Sequence, residues 1–161
     1  MQKTLTKILL AAYLALLTWI ILFKLGFSLA DLERMRSINL IPFHYDTETD
    51  FHLSEVIQNM LVFLPIGIYV KMLGSSGKKA VAVGFGISFT FEALQFILAC
   101  GATDITDIIT NTTGALLGAL LYTGLSRLVS RSMLNAVLNA LASIATVLLT
   151  LLLVVTLLAN R

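Results

Sequence analysis

Glu92 and Gln95, then Asp104, Asp107 and Asn111, are the residues whose types and spacing can do chemistry in this chain. They lie in or between two strongly apolar runs. An ionisable group in such a setting is costly, and by default it marks a functional site. Glu92 with Gln95, and Asp104 with Asp107 and Asn111, follow the three- and four-residue spacing that shares one helix face. Glu55 and Asn59 repeat that spacing one apolar run earlier. Glu92 and Asp107 are the candidate catalytic residues, as acid or base. Glu55, Asn59, Gln95, Asp104 and Asn111 are candidate binding residues. A divalent cation suits oxygen ligands of this kind and would bridge them to a phosphate. Arg36 is a candidate direct contact to phosphate or carboxylate.

Plainer roles compete for the same residues. Asp104, just ahead of an apolar run, suits a helix N-cap, and Asp107 suits an acid in the first turn. Asn59 and Gln95 suit hydrogen bonds between membrane helices, worth about 1 kcal/mol or less each. Neither role accounts for Glu92. A carboxylate at that depth must be protonated, paired with a base or wetted by a cavity. His44 and His52 fall in an acidic loop without a recognised ligand spacing and read as solvated. Cys100 is the single cysteine, so no intrachain disulfide forms, and it reads as a small apolar filler.

The elements that must position these groups are membrane helices. Of 161 residues, 58% are apolar and 12% charged, and the mean hydropathy is +0.93. A soluble domain is about half apolar and a quarter charged. The chain therefore reads as one all-α, polytopic membrane domain over residues 1–161, with about five transmembrane helices. The net charge of +2 gives no case for nucleic acid. Lys3 and Lys7 precede a charge-free run at 8–23, which reads as an uncleaved first helix rather than a signal peptide. Further helices are expected at 55–72, 80–100, 105–125 and 134–159. Pro65 should kink the second. Gly114 and Gly118 form a GxxxG pair that lets another helix approach the fourth closely. Residues 38–43 are apolar but too short to span, and Pro42 breaks a helix there. They are expected to dip into the interface or fold over the helices.

Basic residues set the orientation. With the N-terminus inside, the inner side holds Lys3, Lys7, Lys71, Lys78, Lys79, Arg127 and Arg131. The outer side holds Lys24, Arg34, Arg36 and Arg161. None of the nine acids falls in an inner loop. Asn59 then lies roughly 6 Å, and Glu92 roughly 12 Å, below the outer helix ends at 1.5 Å per residue. Three helices place polar groups in the outer third of the bilayer, which predicts one outward-open polar cleft.

These residues together resemble the VanZ-like membrane protein family. The matching pieces are Asn39-Leu40-Ile41-Pro42-Phe43; Asn59 with Phe63, Pro65 and Gly67; Glu92 and Gln95; and Asp104, Asp107, Asn111, Gly114 and Gly118. The likeness covers about residues 37–122, with 134–159 as a C-terminal transmembrane helix. Many family members carry an arginine where this chain has Gly101, so that residue's role does not carry over. The resemblance implies a multi-pass bacterial cell-membrane protein linked to the envelope and to low-level teicoplanin resistance in Gram-positive bacteria. It does not supply a reaction.

Two functions follow. In the first, the outward polar cleft binds or processes an envelope lipid or a lipid-linked cell-wall precursor. In the second, the polar residues only hold helices together or line a path for protons or a small solute. A full path needs polar groups continuing inward, and the inner halves of the three helices offer little beyond Ser88, Thr90 and Tyr122. The ligand, the metal and the oligomeric state are not readable from the residues.

Overall fold

The computed structural model of the protein describes residues 2–23, 35–43 and 49–159. Five helices follow in order: α1 (Gln2–Phe23), α2 (Thr49–Met72), α3 (Gly77–Leu98), α4 (Ile105–Leu128) and α5 (Arg131–Ala159). All five are long and apolar enough to cross a membrane. Each satisfies its own backbone, as a chain in hydrocarbon must.

Glycines let the bundle close. α2 and α4 form the most intimate helix pair. A Cβ at Gly114 would collide with the Met60 backbone, and one at Gly118 with the Leu64 carbonyl. Gly67 meets the Ala115 carbonyl from the α2 side in the same way. The expected GxxxG contact is therefore made, with α2 as the partner. α3 packs on α4 through Gly84, where an added Cβ would meet the Ala115 side chain. Small residues are what allow such approach where no hydrophobic drive separates helix from lipid.

Apolar packing falls into two main clusters. Leu17, Leu22, Phe63, Ile66, Phe91 and Cys100 fill one. Leu9, Tyr69, Met72, Tyr122 and Leu134 fill the other. Cys100 is thus the apolar filler its surroundings imply. Three residues before Pro65, the Tyr13 hydroxyl donates to the Val62 carbonyl. α1 also meets α5 through a buried bond, the Thr6 hydroxyl donating to Asn139 Oδ1 at 3.1 Å.

Two short strands depart from the all-helical expectation. β1 (Met35–Asn39) and β2 (Cys100–Asp104) pair in parallel, with Arg36 opposite Gly101 and Asn39 opposite Asp104. The third helix accordingly stops at Leu98, not at 100. Ala99 caps it in the left-handed conformation, φ 53°, and its N–H returns to the carbonyls of Gln95 and Phe96. The second helix starts at Thr49, earlier than expected. The fifth starts at Arg131, three residues before the first leucine of its apolar run. Of the loop segment 38–43, the first two residues complete β1, and Leu40, Ile41 and Phe43 stay exposed. Phe43 adopts φ 56°, a conformation costing a non-glycine residue about 1 kcal/mol or more. Its N–H is held by Thr106 Oγ1 at 3.0 Å. His44, Arg34 and the acids at 31, 33, 46 and 48 lie outside the described residues.

Candidate functional site

Asp104 is the joint on which the site is built. It is the N-cap of α4, with extended backbone (φ −124°, ψ 125°). Its Oδ1 accepts from the Thr106 N–H at 2.7 Å. Its Oδ2 accepts from Asn39 Nδ2 at 3.1 Å, and its own N–H donates to Glu92 Oε2 at 2.9 Å. One residue thereby ties the start of α4 to β1 and to α3. The plain N-cap role is real, and the same side chain also anchors the strand layer.

Glu92 is buried, at 4% exposure. Six residues separate it from the end of α3, roughly 9 Å at 1.5 Å per residue. Its carboxylate is answered by the β2 backbone rather than by a base. The Thr103 hydroxyl donates to its carbonyl at 3.3 Å. Asp107 is half-buried one helix across, and Asn59 Nδ2 donates to its Oδ1 at 2.7 Å. That bond links α2 to α4. Asp104 and Glu55 lie near enough to Asp107 for their charges to act on it, and Glu92 feels both Asp104 and Asp107.

Deeper in the bundle, Asn111 is buried at 6% exposure. Its Nδ2 donates to Ser88 Oγ at 3.0 Å, and Ser88 in turn reaches the Asp107 carbonyl at 3.5 Å. Asn111 Oδ1 has no donor, and Thr112 Oγ1 is likewise buried without a partner. The polar groups therefore run inward from Asn39 and Asp104, through Glu92, Asp107 and Asn59, to Ser88 and Asn111.

The structure brings together Asn59, Glu92, Asp104, Asp107 and Asn111. Glu55 stands one turn before Asn59 and is exposed. Gln95 lies beside Gly101: a Cβ there would come 3.2 Å from Gln95 Nε2. In this chain the Gln95 amide borders the space where a side chain at position 101 would begin. Arg36 joins through its backbone, in register with Gly101. Asn39, Ser88 and Thr106 are further hydrogen-bond partners in the cluster, outside the candidate set. Asn39 had a signal, since it heads the apolar Leu40-Ile41 segment.

A divalent cation does not fit these groups. Among the described residues, no three of His, Cys, Asp and Glu converge as a metal set. Each carboxylate is turned to a different partner: Glu92 to the β2 backbone, Asp107 to Asn59, Asp104 to its own helix and Asn39. What remains is a cluster rich in acceptors, with one buried acceptor left over.

The comparisons with known proteins agree with the geometry. The family described as VanZ/LLP1 matches residues 10–130. Protein VanZ of Enterococcus faecium is 44% identical over 124 residues, covering 73% of this chain and 73% of its own. No solved structure matches. The matched stretch takes in α2, α3 and α4 whole, α1 from residue 10 on, both strands and every polar group of the cluster. The chain belongs to the VanZ family and is a multi-pass bacterial membrane protein.

Proposed function

We propose that the cluster around Glu92, Asp107 and Asn111 binds the head of an outer-leaflet lipid or lipid-linked envelope precursor, and that this binding underlies low-level teicoplanin resistance. The observation that carries the reading is Asn111 Oδ1, a buried acceptor without a donor. Leaving such an atom unsatisfied costs about 1–3 kcal/mol, and a bound donor would return that free energy. The chemistry of the cluster narrows the ligand. Three carboxylates and an open carboxamide oxygen call for hydroxyl, amide or ammonium donors, as sugars, peptides and amine headgroups carry. Arg36, whose backbone is in register with Gly101, is the candidate contact for any phosphate. Glu92 and Asp107 are the groups available to take or give a proton on a ligand hydroxyl or amine.

The test is teicoplanin susceptibility in a Gram-positive host expressing the full chain. Asn111→Ala, Asp107→Ala and Glu92→Gln should each remove the protection while the protein stays at wild-type level in the membrane fraction. A structural role has its own support, since Asn59 and Asp104 each bridge two elements. It predicts instead that protection and abundance fall in proportion. Full protection in all three variants at full abundance would end the binding proposal.

A further inference from the structure

The opposite end of the bundle carries a second site, chemically the reverse of the first. A cavity of about 290 Å³ opens there among α2, α4, α5 and the loop before α3, with Lys71, Ser75, Ser76, Tyr122, Ser126 and Arg131 among its walls. Ligand pockets start at about 300 Å³, so the space suits a small group rather than a large molecule. By the basic-residue rule this is the inner end. Among the described residues, the acids Glu55, Glu92, Asp104 and Asp107 lie toward the other end.

The positive charge here is uncompensated. Lys71 ends α2, where the helix dipole favours a cation. Arg131 opens α5, where the dipole disfavours one. The N-terminus of α3, capped by Ser76, borders the same cavity. Two helix N-termini and two cations from different helices thus share one cavity. Among the described residues, no carboxylate pairs with Lys71 or Arg131.

Hydrogen bonding sharpens the chemistry. The Ser126 hydroxyl already donates to the Thr123 carbonyl at 2.9 Å, and the Tyr122 hydroxyl to Asn135 Oδ1 at 2.9 Å. Ser76 Oγ accepts from the Lys79 N–H at 3.2 Å, which leaves its proton to give. The donors still on offer are the Lys71 ammonium, the Arg131 guanidinium and the hydroxyls of Ser75 and Ser76. With two cations among its walls, the cavity suits an anionic, acceptor-rich ligand. A cavity at the ends of membrane helices meets phosphates at headgroup depth, and basic pockets between helices on this side hold phosphate headgroups. We infer that Lys71 and Arg131, with Ser75 and Ser76, form a binding site for a phosphate group at the inner membrane surface. This site is independent of the outer cluster.

Native mass spectrometry of the purified full chain tests it, with phosphatidylglycerol and phosphatidylcholine titrated separately. Wild type should take up phosphatidylglycerol in preference, and the double variant K71Q/R131Q should bind it about tenfold more weakly. K78Q/K79Q removes as much charge from side chains that do not line the cavity, and its loss should stay well below that of K71Q/R131Q. A second arm sets inorganic phosphate against chloride at equal ionic strength and follows thermal unfolding. Stabilisation by free phosphate that K71Q/R131Q abolishes would assign the site to a soluble phosphate rather than a lipid. The single variants K71Q and R131Q replace the double variant if it fails to accumulate, each with about a threefold loss. The proposal is overturned if the cavity variants bind like wild type in both arms, or if K78Q/K79Q loses as much as they do.

Discussion

Asn111 and Asp104 are both polar residues of α4, yet they should respond oppositely to substitution. Asn111 spends one amide hydrogen on Ser88 and leaves its oxygen open. Asn111→Leu removes one modest bond together with one unsatisfied acceptor. Its stability should therefore move by no more than about 1 kcal/mol, while teicoplanin protection is lost. Thermal unfolding in detergent beside a susceptibility assay checks both halves. Asp104 caps a helix and holds Asn39. Asp104→Ala should cost about 1–2 kcal/mol, and Asp104→Asn, which can still cap, well under half of that. Glu92, Asp107 and Asn111 were legible because a polar residue at helical spacing in an apolar run is conspicuous. Ser88 was not, since a serine in a membrane helix ordinarily bonds its own preceding turn, as Thr18 and Thr90 do here. Its use as the acceptor for Asn111 depends on how α3 is rotated against α4, which no local pattern encodes.

The helices could be read from hydropathy, and the GxxxG pair announced a close contact without naming its partner. The structure supplies the partner, and the kind of atom met at each glycine separates two outcomes. At Gly84 an added methyl meets the Ala115 side chain, whereas at Gly118 it meets the Leu64 backbone carbonyl. Gly84→Ala should lower stability by about 1–3 kcal/mol as overpacking does, and Ala115→Gly in the same chain should restore most of it. Gly118→Ala should cost as much or more, and no single side-chain truncation should rescue it. Gly124 faces open space, so Gly124→Ala isolates the helix-propensity gain alone and should stabilise by about 1 kcal/mol or less. Melting temperatures of the purified variants decide between these outcomes. The strands were illegible for a different reason. Cys100-Gly101-Ala102-Thr103-Asp104 contains residues that strands disfavour, and Met35–Asn39 shows no clean alternation. Their pairing is fixed by where the two helix ends bring them, which is tertiary information.

The whole molecule separates its charges. Acceptors gather with the strand layer at one end, and free cations gather with the α2–α3 and α4–α5 loops at the other. The basic-residue rule orients the bundle, and labelling can test that orientation directly. In a Cys100→Ala background, an impermeant maleimide should modify Ser37→Cys on intact cells. Lys78→Cys should react only after the membrane is opened. Both positions are exposed in the fold, so the reverse pattern would invert the topology rather than reflect burial. The parallel pairing of β1 with β2 has one more consequence. Parallel strands need a long crossover, and here the crossover is the α2–α3 hairpin, which traverses the bilayer and returns. During synthesis β1 reaches the far side first and must wait there, its edge unpaired, until α3 has been threaded back and β2 emerges beside it. In the orientation that the basic residues give, the polar cluster is thus completed outside the cell, late in insertion, by a segment that was among the earliest to arrive.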